Sequence, residues 1–382
     1  MRTKNGKIQI GIAAAMVALA AIVPLAQGAS ATGHPAHAKH GKAKAKHGKA
    51  KAKKADARQR GTYWGAWIGT QLTGNQPPWD MSSVSAFSGL TGKNPSLLEF
   101  AAPFADCSTS PCNFYKFPSY EMQTIRNYGA IPFFSWGSQS TPVPDDLGEP
   151  SFQLADIANG TYDSYIREFA EGAREWGHPF FLRFDWEMNG NWFPWAEQAN
   201  GNQPDDYILA WRHVHDIFTQ VGATNANWVW CPYVNATPKL GPLARYYPGD
   251  EYVDWTSLDG FNWANNGVNP QPWTSFDKIF GPSYRAIVNK LAPGKPMLLA
   301  EMASGGSNRA KATWIDQMFK QLRTKYRRIR GVIWFEQVDR GVEWPLESGP
   351  AATAAFSRGI RPSSFKDNDY SALEGAKILP PS

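Results

Sequence analysis

Cysteine and histidine are scarce in this chain, with three Cys and seven His among 382 residues. Four of the His residues lie irregularly among lysines between residues 32 and 60, which disfavours a defined metal site. No Ser-His-Asp arrangement, Cys-His nucleophile pattern or metal triad stands out in the sequence. The glycine spacing of YWGAWIG, residues 63–69, does not fit a phosphate-binding loop. We therefore predict a protein without metal or cofactor.

The three cysteines predict one disulfide. Cys107 and Cys112 flank the turn-like segment STSP, and in an exported protein such a pair closes a small loop. Cys231 is left over at the end of a strand-like run and is interpreted as a packed thiol.

The first 31 residues have the pattern of an export signal. Arg2, Lys4 and Lys7 precede an apolar stretch at 8–25, and the small residues 29–31 provide a cleavage site. A retained membrane anchor is the alternative. We therefore expect a secreted, extracellular protein.

A low-complexity segment of Lys, Ala, His and Gly follows at 32–60. It carries eight Lys and two Arg against one Asp, and it lacks the apolar residues that folding requires. We predict a disordered linker that contacts an anionic cell surface, with a plain spacer as the alternative. Since residues 1–60 carry more positive charge than the whole chain's net +6, the remainder is acidic. This argues against nucleic-acid binding by the folded part.

From residue 61 onward, strand-like runs alternate with helix-like ones, which indicates a parallel sheet. The strand predictions are 62–69, 96–101, 130–136, 179–187, 227–231, 255–262, 295–301 and 330–336. The helix predictions are 120–128, 162–176, 205–221, 276–291 and 309–326, with WDMSSVSAF and GPLARYY the candidates for the first and fifth connections. Eight such units favour a single (β/α)8 TIM barrel over 61–360, with a C-terminal tail at 361–382.

Active sites of such barrels lie at the C-terminal ends of the strands. Most of the predicted strands end there in an aromatic residue or a carboxylate: Trp67, Trp136, Glu187, Trp230 with Tyr233, Trp263 after Asn262, Glu301, and Trp334 with Glu336. The chain also holds 17 Trp, and excess Trp in a soluble protein is typical of surfaces that stack against sugars. The barrel mouth is predicted to be an aromatic cup that holds acids.

Residues 179–195, PFFLRFDWEMNGNWFPW, provide the strongest candidate site. Alternation along a strand places Arg183, Asp185 and Glu187 on one face. We expect Arg183 and Asp185 to hold Glu187 rigidly. The alternative is a structural Arg183–Asp185 ion pair with Glu187 at the surface.

Two carboxylates across an aromatic cleft suit glycoside hydrolysis. Apolar surroundings would keep Glu187 protonated as the acid, and Glu301 would be the nucleophile; a carboxyl separation of about 5–5.5 Å would make the mechanism retaining. Glu301 could instead start a helix near Ser304. Glu336 is interpreted as a sugar contact rather than a helix cap. The remaining substrate-binding candidates are Asn189 and Asn262 for sugar hydroxyls and, for stacking unless they are core, Trp192, Trp195, Trp230, Tyr233 and Trp263.

At RFDWEMNGNWFPW the sequence resembles glycoside hydrolase family 26, a family of retaining (β/α)8 enzymes, over most of residues 61–345. The resemblance implies acid/base Glu187, nucleophile Glu301, and sugar subsites lined by Trp136 and Trp192. Trp186 and Phe261 stand where family mannanases carry His and Tyr, which indicates a divergent branch.

The resemblance implies a polysaccharide substrate, with β-1,4-mannan the first choice. A mixed-linkage β-1,3-1,4-glucanase or another β-glycanase is the runner-up. A non-catalytic polysaccharide-binding or wall-associated protein is the rival from another class. We expect a monomer.

Overall fold

The computed structural model describes residues 60–143, 150–197, 199–234, 241–266, 269–339 and 341–382. The predicted export signal, and the predicted linker up to residue 59, lie outside the described residues. Within the described ranges, no helix is both long and apolar enough to cross a membrane.

In the described part of the chain, eight strand positions close into a parallel barrel. The ring closes because Gly65 of the first strand pairs with both the second strand and the last barrel strand. The sixth position is divided between two short strands that both pair with the seventh position. The barrel strands are β1 (Tyr63–Ile68), β2 (Leu97–Asp106), β4 (Ile131–Thr141), β5 (Phe180–Phe184), β6 (Ala226–Trp230), β7 (Trp255–Thr256), β8 (Asp259–Asn262), β9 (Met297–Ser304) and β10 (Ile329–Glu336). The predicted TIM barrel is confirmed.

Among the described residues, three short strands lie outside the ring. β3 (Asn113–Phe114) runs antiparallel to β2, and β11 (Val338–Asp339) forms a hairpin with β12 (Val342–Glu343). The Cys107–Cys112 disulfide lies in the β2–β3 loop, which confirms the predicted pairing.

Helices pack around the outside of the ring. The helices are α1 (Met81–Thr91), α2 (Ser119–Tyr128), α3 (Leu154–Ala158), α4 (Asp163–Trp176), α5 (Asp206–Val221), α6 (Phe276–Ala286), α7 (Asn308–Thr324) and α8 (Pro350–Ile360). The first connection forms α1, whose N-cap Asp80 accepts a hydrogen bond from the Ser82 backbone N–H. The fifth connection forms only short 3-10 turns in its described part, one of them at Leu243–Tyr246.

The interior of the barrel has an aromatic floor. The rings of Tyr63, Phe133 and Trp255 surround Phe181, with centroid distances to Phe181 of 6.4, 5.7 and 5.3 Å. Since alternate strand residues share a face, Arg183 lies on the same inward side as Phe181, one layer nearer the mouth. The charged side chain of Arg183 therefore lies on the mouth side of a packed aromatic layer.

The segment with the strongest predicted site leaves the sheet earlier than expected. β5 ends at Phe184, and Asp185 and Glu187 adopt positive φ angles of 41° and 55°. Residues with positive φ cannot continue a strand, so the predicted strand to residue 187 becomes a turn. Glu187 consequently does not share one flat face with Asp185.

The C-terminal tail packs across the N-terminal end of the barrel. Phe365 pairs with Thr62, and the Trp255 Nε1–H donates to the Ile378 carbonyl at 2.9 Å. The Ile378 N–H in turn donates to Asn227 Oδ1 at 2.8 Å. The tail, which carried no functional prediction, thus covers the end of the barrel opposite the predicted site.

Candidate active site

Arg183 is the centre of the polar layer inside the barrel, and its side chain is fully buried. Its Nη1 donates to Asp259 Oδ2 at 2.8 Å and its Nη2 donates to Glu301 Oε1 at 2.6 Å. Nη2 also bonds Glu99 Oε1, while Nε donates to Ser135 Oγ at 2.8 Å. One guanidinium therefore fixes three carboxylates that come from three different strands.

Glu301 is held in place from both its backbone and its side chain. β8 pairs with β9 so that Asp259 lies beside Glu301, and the Glu301 N–H donates to Asp259 Oδ1 at 2.7 Å. The Glu301 side chain keeps 12% of its surface exposed, unlike those of Asp259 and Glu99, which are fully buried. Glu301 is the carboxylate of this cluster that is open to the cleft.

Glu187 faces the cluster from the turn after β5. Its backbone N–H donates to the Cys231 carbonyl at 2.7 Å, and Trp192 Nε1–H donates to its Oε2 at 2.5 Å. Burial, and then the negative charge of Glu301, raise the pKa of Glu187 to about 8, while the Trp192 hydrogen bond opposes the shift. Glu187 is accordingly protonated at neutral pH and can donate a proton.

The carboxyl groups of Glu187 and Glu301 lie close enough to act on the two ends of one bond. One oxygen each of Glu187, Asp259 and Glu301 lie within 4.8 Å of one another. Retaining glycosidases place their two carboxyl groups about 5–5.5 Å apart, and this close approach is nearer to that arrangement than to the separation of about 6.5–9.5 Å in inverting enzymes. The guanidinium of Arg183 already supplies positive charge to Asp259 and Glu301.

Trp186, which precedes the candidate acid, covers the charged cluster. The Arg183 guanidinium carbon lies 4.8 Å from the centroid of its ring, and the indole is 5% exposed. The ring also packs against Trp195 at 4.9 Å. Trp186 therefore helps to keep water away from Arg183, and a cation–π contact stabilises this arrangement.

Three of the predicted stacking residues line the cleft side of the site. Trp192 is 5% exposed and meets the ring of Tyr233 edge-on at 5.2 Å. Burial raises the pKa of the Tyr233 phenol, and the nearby indole N–H of Trp263 partly offsets that rise. Trp263 in turn packs against Trp344 at 5.1 Å. Phe261, also against Trp344, is half-buried beside them.

The structure packs Trp136, Trp195 and Trp230 into the core, which is the alternative to stacking that the sequence left open for Trp195 and Trp230. All three side chains are fully buried. Trp136 points outward from β4 and stacks on Phe169 of α4 at 4.1 Å. Trp195 Nε1–H donates to the Trp186 carbonyl, and Trp230 Nε1–H donates to a carbonyl of the Leu243–Tyr246 turn.

Asn189 and Asn262 brace the protein around the site, and their sugar contacts stay predictions. The Asn189 side chain bonds both the N–H and the C=O of Tyr233, at 2.8 and 2.9 Å. Asn262 donates to Ser304 Oγ and accepts from the Thr274 N–H. Both amides are buried, and their hydrogen bonds join neighbouring loops of the mouth.

Asp185 and Glu336 have structural partners. Asp185 accepts from both the N–H and the Oγ of Ser138 at 2.7 Å, so it braces the end of β4 rather than contacting Arg183. Burial raises the pKa of Asp185 to about 8, against those two hydrogen bonds. Glu336 is fully buried and accepts from the Leu346 N–H at 3.0 Å, so its observed role is to hold the start of the Leu346–Ser348 turn.

Sequence reasoning missed Glu99 and Asp259. Both are single carboxylates inside apolar strand runs, LLEFAAPF and SLDGF, and both are fully buried beside Arg183. Burial raises the pKa of each carboxyl well above its usual range, and the Arg183 charge opposes this. A buried carboxylate in a strand requires a partner, and that rule could have linked both residues to Arg183. Cys231 is buried as predicted, and its Sγ–H donates to Asp259.

Comparisons with known proteins identify the family of this chain. The sequence model of glycosyl hydrolase family 26 matches residues 147–318. Endoglucanase H of Acetivibrio thermocellus is 33% identical over 303 residues, which cover 78% of this chain and 30% of that protein. This chain therefore spans under a third of that relative's length.

A second relative matches over a larger share of its own length, and a solved structure shares the fold. A mannan endo-1,4-beta-mannosidase of Bacillus subtilis is 25% identical over 283 residues, 72% of this chain and 69% of that protein. The structure of a Cellulomonas fimi endo-beta-1,4-mannanase double mutant superposes with a TM-score of 0.61 at 17% identity. It covers 83% of this chain and 74% of that one, and at such low identity the likeness concerns the fold. With the sequence match over the segment that carries the carboxylate pair, this chain belongs to glycosyl hydrolase family 26.

Proposed function

We propose that this chain is a retaining endo-β-glycanase in which Glu187 is the acid/base and Glu301 the nucleophile. The observation that carries the proposal is the pair itself. Oxygens of Glu187 and Glu301 approach within 4.8 Å, with Glu187 held protonated by burial and Glu301 bonded to Arg183. This is the division of roles that a retaining mechanism requires.

In the first step Glu301 Oε attacks the anomeric carbon while Glu187 gives its proton to the departing glycosidic oxygen. The glycosidic C–O bond breaks and a glycosyl ester with Glu301 forms. In the second step Glu187, now ionised, takes a proton from water, and that water attacks the same carbon. The ester bond breaks, Glu301 leaves as a carboxylate, and Glu187 is again protonated.

Arg183 suits both steps of this cycle. Its bond to Glu301 orients the attacking carboxylate, and it keeps Asp259 and Glu99 as partners when Glu301 loses its charge in the ester. A fixed ion cluster of this kind needs little rearrangement during the reaction, which favours catalysis by preorganised charge.

We propose β-1,4-mannan as the first substrate, because a relative named as a mannan endo-1,4-beta-mannosidase aligns with 72% of this chain. A mixed-linkage or β-1,4-glucan is the second candidate. It is favoured by the 33% identity to a protein named endoglucanase over 78% of the chain. A non-catalytic polysaccharide-binding protein is the rival proposal. Such a protein would not need the protonated Glu187 beside a Glu301 carboxylate that is bonded to Arg183, so the rival has less support.

A reducing-end assay on mannan, lichenan and xylan tests the activity and the substrate together. We expect hydrolysis of mannan or of lichenan, with β-configured products in early NMR spectra. Folded protein that cleaves none of the three polymers would refute the enzyme proposal. Glu301→Ala should abolish turnover while polymer binding persists, and wild-type turnover in that variant would reassign the nucleophile.

We also propose that the protein is secreted as a monomer and that residues 32–60 contact an anionic cell surface. The charge of that segment supports the contact. Deletion of residues 32–60 should abolish salt-sensitive retention on cells, and unchanged retention would refute it. N-terminal sequencing of protein from the medium tests cleavage after residue 31, and light scattering tests the monomer.

A further inference from the structure

A buried lysine outside the catalytic cluster has no role in the mechanism described above. Lys311 lies in the first part of α7, and its side chain is fully buried. A buried ammonium is costly unless its donors are satisfied, so its surroundings indicate what it is for. Burial lowers the pKa of Lys311 to about 8, with the charges of Glu336 and Glu343 working against that shift.

The ammonium binds one short segment of chain. Nζ donates to the carbonyl oxygens of Glu343 and Pro345, at 2.7 and 3.0 Å, and to Ser348 Oγ at 2.6 Å. An ammonium has three donors, and these three acceptors can satisfy all of them, while the Trp344 carbonyl oxygen is a fourth, more distant acceptor at 3.4 Å. We call residues 343–348 the clamped segment. It joins the β11–β12 hairpin to α8.

The clamped segment is also held from the barrel side. The fully buried Glu336, at the end of β10, accepts the Leu346 N–H. The segment therefore lies between the Lys311 ammonium, which donates to its carbonyl oxygens, and the Glu336 carboxyl, which accepts its Leu346 N–H. Loss of either partner would leave buried backbone groups unpaired, which is costly.

The clamped segment carries Trp344, which supports the aromatic side of the cleft. The Trp344 ring lies 5.1 Å from both Phe261 and Trp263. Trp263 stands beside Tyr233, whose ring meets Trp192, the donor to Glu187. Packed rings thus connect the clamped segment to Trp263, whose indole lies beside the Tyr233 hydroxyl, and the Tyr233 ring in turn contacts Trp192 next to the candidate acid.

We propose that Lys311 is a positioning residue that fixes the clamped segment and, through Trp344, the aromatic wall formed by Phe261 and Trp263. The inference that this wall receives sugar rests on the proposed function, whereas the clamp itself does not. Aromatic stacking of this kind acts equally on the ground state and the transition state. Disorder in the wall should therefore raise KM and leave kcat nearly unchanged.

The test compares Lys311→Met with Lys320→Met, which changes an exposed lysine on the same helix. Amide hydrogen exchange followed by mass spectrometry measures the protection of the backbone N–H groups in the clamped segment, and it does not require activity. In Lys311→Met we expect exchange in peptides covering 342–348 to accelerate by about tenfold or more, since charge-assisted hydrogen bonds are lost. We expect KM for the polymer to rise about tenfold with kcat within about threefold of wild type. Lys320→Met should change neither.

Unchanged exchange in Lys311→Met would overturn the clamp, and faster exchange with an unchanged KM would overturn its link to the aromatic wall. If wild-type protein cleaves no glycan, the proposed function fails while the exchange result still decides the clamp. Should Lys311→Met not fold, Ser348→Ala removes one acceptor from the exposed end of the segment. It should accelerate exchange in the same peptides by a smaller factor, and no acceleration would overturn the proposal.

Discussion

Arg183 Nη2 donates to Glu301 Oε1 at 2.6 Å, although the two residues are 118 positions apart in the chain. Four residues after Arg183, the same segment supplies Glu187. β5 therefore positions the opposite carboxylate through Arg183, and the turn that follows β5 positions the proton donor. Any movement of this segment would displace both catalytic groups together.

Replacement of Arg183 by lysine should lower kcat strongly. The guanidinium of Arg183 serves four acceptors from three separate nitrogens, whereas an ammonium has three donors on one nitrogen and cannot reach all four, so buried carboxylates around it lose hydrogen bonds. We expect kcat to fall about 100-fold or more and unfolding to require about 3 kcal/mol less free energy, as for other broken buried ion pairs. Steady-state kinetics and urea unfolding measure the two effects.

The matched control for that variant is Arg358→Lys. Arg358 pairs with Asp316 at the surface, where exchange of one cation for another has little effect. Equal kcat in Arg183→Lys and in Arg358→Lys would show that the guanidinium does not orient the nucleophile.

Replacement of Trp192 by phenylalanine should move the alkaline limb of the pH–rate profile. Glu187 must be protonated to act as the acid, so activity should fall as pH rises through its pKa of about 8. The indole N–H of Trp192 stabilises the ionised form of Glu187, and its removal raises that pKa further. We therefore expect the limb in kcat/KM to shift to higher pH while the maximum value decreases.

Trp79→Phe serves as control, because Trp79 is exposed and packs on Phe100 rather than on Glu187. A Trp192→Phe limb that stays in place or moves to lower pH would contradict the assigned hydrogen bond.

The barrel was predictable because its signal is periodic and local. Strand runs such as 130–136 are almost purely apolar, and the helix predicted at 162–176 lies within a residue of α4 (Asp163–Trp176). Boundaries near the site were less predictable. The run to Glu187 remained strand-like in sequence, whereas the positive φ of Asp185 depends on the hydrogen bonds that Ser138 provides from another strand. That information is absent from local sequence.

The acids of the site were predictable in type, and their partners were not. Glu187 and Glu301 end two of the strands predicted from the sequence, and the ends of barrel strands are where barrel enzymes act. The aromatic residues were harder, because Trp136 and Trp192 both follow apolar stretches near strand ends. Which side of the sheet each indole occupies depends on strand register and turn geometry, so only the structure separates the core residue from the cleft residue.

Replacement of Trp136 by alanine should destabilise the fold without affecting substrate affinity. The indole is fully buried and stacks on Phe169, so its removal leaves a large cavity between β4 and α4. We expect a loss of about 3–5 kcal/mol in the free energy of unfolding, with KM unchanged in the protein that remains folded. Trp136→Phe, which keeps a ring in place, should lose far less. An increase in KM at unchanged stability would restore the sugar contact that the sequence suggested.

Replacement of Ile378 by alanine should lower stability through the end of the barrel opposite the site. Ile378 is 2% exposed, and its backbone bonds Asn227 and Trp255, whereas the next residue, Leu379, is 71% exposed. Loss of the buried side chain leaves a cavity under the tail, and we expect about 2–4 kcal/mol less free energy of unfolding. Leu379→Ala, the adjacent control, should lie within about 0.5 kcal/mol of wild type. Thermal or urea unfolding measures both, and kcat and KM should be unchanged because the tail contacts none of the groups around Arg183. Equal stability of the two variants would show that the tail does not seal the barrel.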